Sequence, residues 1–315
     1  MYTVTSTRLG FTMLRLAQGL VAPLSAVAGM VIMADFSGRE KGRLAGVVNQ
    51  WGSIGMVLGP GVGGGVMQFL GVRCAFWLSS LAVLVGGLVV YFALPRRGSP
   101  ASVPTAAAAV RGMAARLTWR VYLLGTVNLI DFVAFQAWIL LLTIELQARG
   151  FAEGLIGTML TVQCVAYAAA QGFCGRLADR RKGLHAVAIA QFLYGFLVLL
   201  LPGVAVPWKL ALAMVGLGFA SAPTWTGVFV EVSHQATGLT GRAMGLLNGT
   251  IGLGNGAGPL LGGLLGSISL QAGFLATSGL LWTNAVLAVL YVVRRHRSRF
   301  QKRPTIEGDP DEEAR

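Results

Sequence analysis

The sequence predicts an all-helical membrane protein, and three observations carry that reading. Of 315 residues, 55% are AVILMFWYC and only 12% are charged, with a mean hydropathy of +0.68; a soluble domain carries about 25% charged residues. The apolar residues gather into runs of about 20, the length a helix needs to cross a hydrocarbon core about 30 Å thick. The basic residues fall between those runs and not along one face. Backbone N–H and C=O groups in lipid must be satisfied within their own segment, so runs of this length are helices.

The same numbers exclude other classes. A net charge of +13 would suit nucleic acid only if a folded soluble module presented it as a patch, so no nucleic-acid partner is expected. Cys74, Cys164 and Cys174 are odd in number and widely spaced, and His185, His234 and His296 do not cluster. Neither a disulfide framework nor a metal site is expected, and no cofactor. The sequence holds no G-x-S-x-G elbow, P-loop, H-E-x-x-H pair or paired central carboxylates, so it does not read as an enzyme.

Nine runs follow one another. The first, Gly10 to Met33, carries Arg15. Leu44 to Leu70 is glycine-rich with a central Pro60, and Cys74 to Leu94 is apolar throughout. A basic stretch rich in Pro and Ala, 95–120, separates these from the rest. Val121 to Ile144 contains Asp131. Leu155 to Cys174 has Gln163, Tyr167 and Gln171 at four-residue spacing, a polar stripe suited to an interhelical contact or a water path. His185 to Leu201 and Leu210 to Val230 follow, the latter with Pro223 and Trp225. Ala243 to Leu265 is again glycine-rich with a central Pro259, and Phe274 to Val293 is the last. The tail, 294–315, is basic and then acidic, a composition that suits contact with anionic lipid followed by a disordered end.

Weaving nine spans with a cytoplasmic C-terminus puts 20 of the 25 Lys and Arg residues on one side. The positive-inside rule makes that side cytoplasmic. The expected location is a multi-pass position in a cell membrane, the inner one of a bacterium, with lipid as the surrounding partner.

An internal repeat sets the organisation. Gly42 to Gly64, GRLAGVVNQWGSIGMVLGPGVGG, aligns without gaps to Gly241 to Gly263, GRAMGLLNGTIGLGNGAGPLLGG, 199 residues later. Nine positions agree, among them Arg43 with Arg242, Asn49 with Asn248 and Pro60 with Pro259. Both copies enter the membrane from the same side, so the repeat is parallel, about an axis along the membrane normal. Applied to Val121, the offset points to a position before Met1, so three spans of the second half have no counterpart among the nine. The expected organisation is a shortened first bundle at 1–94, a cytoplasmic linker at 95–120, a six-helix bundle at 121–293 and a charged tail. This is an incomplete twelve-span, two-bundle architecture.

The motifs then sharpen this. Gly55, Gly59, Pro60, Gly63 and Gly64 form G-x-x-x-G-P-x-x-G-G, echoed by Gly254, Gly258, Pro259, Gly262 and Gly263. Small residues let helices touch backbone to backbone in lipid, and proline removes one helical hydrogen bond, so each copy is a packing seam or a hinge. The pattern resembles the fifth-helix signature of antiporters in the major facilitator superfamily. Arg15-x-x-Gln18-Gly19 resembles that family's fourth-helix motif. Gly175 to Gly183, containing Asp179 and Arg180, resembles its cytoplasmic G-x-L-a-D-R-x-G-R loop in the second-half position, with Arg181-Lys182-Gly183 where the pattern expects Gly-Arg-Arg. The resemblance implies the major facilitator fold, a cavity lined by helices four, seven and ten, and a loop at Asp179 and Arg180 that pairs with a helix end in one state and releases in another. Glu231 is a candidate partner for it.

Candidate pathway residues follow from position. Arg15 and Gln18 share one helix face. A charge at a helix centre costs roughly 2.5 to 3.5 kcal/mol, so Arg15 either reaches the headgroups or faces a polar interior, where the resemblance implies a role in proton coupling. Asp131 is the one acidic residue near the middle of a span and shares a face with Asn128, Phe135 and Trp138. It can carry a proton, neutralise a cation beside an aromatic surface, or serve as a structural hydrogen-bond partner. The resemblance brings Arg15, Asp131 and Trp225 to one chamber, although packing also accounts for Trp225. The resulting expectation is a secondary transporter that couples proton movement to efflux of a small amphipathic or drug-like molecule by alternating access. Proton symport for uptake and a non-transporting fragment that assembles with a longer copy are the alternatives. Oligomeric state is not encoded in these features.

Overall fold

The computed structural model describes residues 41–93, 117–179, 183–204, 206–235 and 239–300. Among these the protein is helical: α1 (Lys41–Ala93), α2 (Trp119–Ala148), α3 (Glu153–Asp179), α4 (Gly183–Leu200), a 3-10 turn (Leu201–Gly203), α5 (Pro207–Gln235), α6 (Thr240–Ile268) and α7 (Leu270–Phe300). Six stretches are long and apolar enough to cross a membrane, within α1, α2, α3, α4, α5 and α7. Glycine lowers the hydropathy of α6, but its 29 residues rise about 43 Å at 1.5 Å each. The expected first span, from Gly10, lies outside the described residues.

The second and third expected spans occupy one element. In α1 a single residue, Gly71, leaves helical geometry, with φ 80° and ψ 165°. That backbone region is open to glycine alone, so the division between the two apolar runs is written by one side-chain-free residue. Gly150, also at φ 80°, closes α2. Its N–H reaches the Gln147 carbonyl at 2.9 Å and that of Phe151 reaches Leu146 at 3.0 Å, a Schellman closure in which the Phe151 ring packs into the same core as Leu146. The Arg149 guanidinium then bonds the carbonyls of Pro202 (2.5 Å) and Val204 (3.1 Å) and the Glu145 carboxylate (2.5 Å), tying this corner to the turn after α4.

The repeat is visible in the helices themselves. The two copies lie in α1 and α6, with Pro60 inside one helix and Pro259 inside the other. The two copies make different contacts. In α6, a methyl group added at Gly254 would lie 2.5 Å from the Phe132 Cβ, and one at Gly258 would lie 2.6 Å from the Gln136 Cβ. Backbone therefore meets backbone along α2. In α1 the equivalent Gly55 and Gly59 have no described residue within 4 Å, nor has Gly63. There the neighbouring face is used: added methyl groups at Gly61 and Gly64 would lie 2.7 Å from Thr161 Oγ1 and 2.9 Å from the Glu153 carbonyl on α3.

The remaining helices form one packed group. α3 lies along α5, α4 against α5 and α7, and α2 against α6 and α7. Trp138, Tyr194, Phe274 and Leu217 are fully buried between them, while Leu253 and Leu264 on α6 are 66% and 71% exposed. Large aliphatic side chains face outward as well as inward, the arrangement expected where lipid replaces water.

Candidate functional site

The buried polar side chains meet at the junction of α2, α4 and α5. Asp131 is there because the period of α2 turns residues 131, 134, 138 and 141 into the bundle, and all four are buried. Across from it stands Gln191, fully buried on α4. The Gln191 amide Nε2 donates to Asp131 Oδ1 and to Thr224 Oγ1, each at 2.5 Å. Two turns further along α2, Trp138 donates its indole N–H to the Tyr194 hydroxyl at 2.7 Å, and Phe135 meets the Trp138 ring edge-on at 5.8 Å. Two polar links thus join α2 to α4, Asp131 to Gln191 and Trp138 to Tyr194.

Asn128 departs from the expected common face. Its amide donates to Thr250 Oγ1 at 2.8 Å, across to α6, and Asn284 on α7 donates to the Val127 carbonyl at 3.0 Å. Helical drift of 100° per residue sends Asn128 to a different neighbour from Asp131. In lipid such amide links hold helices together with roughly 0.6 to 2 kcal/mol each.

Arg15, expected in one chamber with Asp131 and Trp225, lies outside the described residues, and Trp225 makes contacts separate from those of Asp131. It is half-buried on the adjoining face of α5, edge-on to Phe132 at 6.3 Å and tilted against Phe229 at 5.8 Å. Beside this aromatic group the Gln136 amide donates to Asn255 Oδ1 at 2.8 Å. Asn255 is exposed near the middle of α6, a depth at which lipid offers an amide no partner, so the Gln136 amide serves in its place. The polar stripe on α3 makes an interhelical contact: Thr226 donates to Gln171 Oε1 at 2.5 Å, and Gly218 of α5 admits the backbone of Gln163 and Tyr167.

Other expected residues are placed as follows. Glu231 accepts from the Tyr291 hydroxyl at 3.0 Å and from Gln235 at 2.7 Å, partners on α7 and on its own helix; the loop after α3, with which it is expected to pair, lies outside the described residues. Gly175 has no described residue within 4 Å of an added methyl group. Asp179 ends α3, and its side chain, with Arg15, Gln18 and Arg180, lies outside the described residues. Gln191, Thr224, Phe132, Phe229, Gln136 and Asn255 were not singled out by the sequence. One signal existed: Gln191 is the only amide or acid in its run, near the centre.

The Major Facilitator Superfamily model matches residues 1–144 and 123–311. The chain belongs to the major facilitator superfamily. Relatives of this superfamily member include the multidrug resistance protein MdtG of Salmonella arizonae, 24% identical over 295 residues, covering 90% of this chain and 72% of the relative. The MdtG proteins of Salmonella dublin and Salmonella typhimurium are 24% identical over 286 residues, covering 88% of this chain and 70% of theirs. As a superfamily member the chain is a multi-pass membrane transporter for a small molecule.

Proposed function

We propose that this superfamily member is a proton-coupled exporter of small amphipathic or drug-like molecules, with Asp131 as the group that takes up and releases the proton. The observation that carries the reading is the Asp131 carboxylate, buried in mid-span against Gln191 with no cation bonded to it among the described residues. A carboxylate kept from water inside a bilayer is costly and marks ion or proton pathways. The aromatic group of Phe132, Trp225 and Phe229, with the Gln136 and Asn255 amides beside it, supplies a surface for a flat apolar substrate with one hydrogen-bonding group. The relatives named for multidrug resistance support the direction of transport. Both glycine-proline seams, the loop at Gly175, Asp179 and Arg180, and the pair Arg15 and Gln18 belong to this reading as conformational and coupling elements.

The chain is read as two like-oriented bundles, 1–94 and 121–293, joined by a cytoplasmic linker and ending in a cytoplasmic tail. Alternating access is then a rocking of one bundle against the other. In proteoliposomes loaded with a fluorescent dye such as ethidium, an imposed proton gradient should drive dye against its concentration gradient with proton counterflow. Asp131→Asn should abolish the coupling while insertion is preserved. Uphill transport by Asp131→Asn at the normal rate removes Asp131 from the mechanism, and entry of dye together with protons makes the protein a symporter.

A further inference from the structure

We propose that Gln191 is a positioning residue that reads the protonation of Asp131 and passes it to α5 at Thr224, between Pro223 and the Trp225 ring. The inference rests on the proton-carrier reading of Asp131 and extends it to a residue and a direction of signal.

The geometry is specific. Gln191 is completely buried, and its Nε2 stands 2.5 Å from acceptors on two different helices, Asp131 Oδ1 and Thr224 Oγ1. Its other end, Oε1, is buried with no hydrogen-bond partner. An ionised carboxylate only accepts, so the N–H end of the amide must face it. When Asp131 gains a proton on Oδ1, an O–H points at an N–H, and two donors oppose each other. A half-turn about the last side-chain torsion of Gln191 exchanges Nε2 for Oε1. That oxygen then accepts from the new Asp131 O–H and, on its second lone pair, from the Thr224 O–H. Asp131 has gained one proton, Gln191 none, and the Thr224 hydroxyl has turned from acceptor to donor. Release of the proton reverses each step.

The groups around Asp131 leave this as the responsive link. Among the described residues, Tyr167 on α3 and Tyr194 on α4 are the titratable groups that interact with it, both phenols, and the Tyr194 hydroxyl already accepts from Trp138. α6 and α7 present uncharged Thr250 and Asn284, bonded to Asn128 and the Val127 carbonyl. The receiving end is the one turn of α5 that holds a proline. Pro223 has no N–H to give, so the carbonyl one turn back loses its helical partner, and proline is a common cause of helix bending. Thr224 is the next residue, and Trp225 after it stacks in the aromatic group. A proton held inside the bundle thereby has a path to a ring outside it.

The test uses the full chain in liposomes of phosphatidylethanolamine and phosphatidylglycerol, with no substrate. Infrared difference spectra between neutral and acid pH read the carboxylic-acid band that Asp131→Asn removes. Tryptophan emission, corrected with Trp225→Phe, reads the aromatic group. The wild type should give both signals. Gln191→Leu should keep the carboxyl band and lose the Trp225 response, and the near-isosteric Thr224→Val should do the same should Gln191→Leu not fold. A Trp225 response of wild-type size and midpoint in either folded variant overturns the relay, as does a wild type with the band and no emission change. Lack of an Asp131-dependent band in the wild type instead defeats the proton-carrier reading, and the relay with it.

Discussion

The indole N–H of Trp138 donates to the hydroxyl of Tyr194 at 2.7 Å, and both side chains are completely buried. Neither group has water within reach, so removing one partner leaves the other unsatisfied. Tyr194→Phe keeps the ring and deletes only the acceptor. It should lower stability by about 1 kcal/mol, toward the lower end of the cost of an orphaned buried donor, since links of this kind in membranes are weak on average. Thermal unfolding in detergent checks it, and an unchanged midpoint would show that the Trp138 N–H finds another acceptor.

The glycines of α6 divide into two groups with opposite expected effects. At Gly258 a methyl group meets the Gln136 Cβ and the Val133 carbonyl, both at 2.6 Å, so Gly258→Ala must push α6 from α2 and should cost about 1 to 3 kcal/mol as overpacking. At Gly249 nothing described lies within 4 Å, and Gly249→Ala should be neutral or stabilise by about 0.5 to 1 kcal/mol through helix propensity. Unfolding of the two variants side by side tests the seam; equal effects would contradict it.

Gln68 on α1 accepts from the Gly154 amide at the start of α3, at 3.0 Å, and the two helices touch through Gly61, Gly64 and Gly157. Gly157→Leu should force α1 and α3 apart. Cross-linking of the Gln68→Cys, Gly154→Cys pair by a short bifunctional reagent should be efficient and should fall several-fold when Gly157→Leu is added. Undiminished cross-linking would refute the close approach.

Arg149 serves two carbonyls and one carboxylate, yet its side chain is 29% exposed. Solvent screening limits the ion pair to below about 1 kcal/mol, so Arg149→Lys, which keeps the charge but cannot span all three acceptors, should lose nearly as much as Arg149→Ala. Proteolysis at the turn after α4 should rise in both. Protection by Lys equal to that by Arg would assign the role to charge alone.

Much of the fold was legible because lipid imposes one simple requirement, a run of apolar residues of fixed length. The runs from Val121 to Val293 all lie in described helices, and Pro60 and Pro259 each stand inside one. Asp131 was also legible, since a mid-span acid is conspicuous. Its partners were not. Gln191 lies 60 residues away and Thr224 farther still, and no local period links them. The same limit explains why Asn128 and Asp131, three residues apart, were assigned one face and bind different helices.

What the sequence determined by itself is the class of protein, the duplicated glycine-proline helix and the position of the buried acid along its span. These are one-dimensional facts, set by hydropathy, repeat and depth. The tertiary structure alone decided who touches whom: Asp131 turned to Gln191, Trp225 to Phe132, and the seam copies resting on α2 in one case and on α3 in the other. Lateral neighbours of a helix in lipid are selected by shape fit and a few hydrogen bonds among many apolar faces, and that choice exists only once all the helices are assembled.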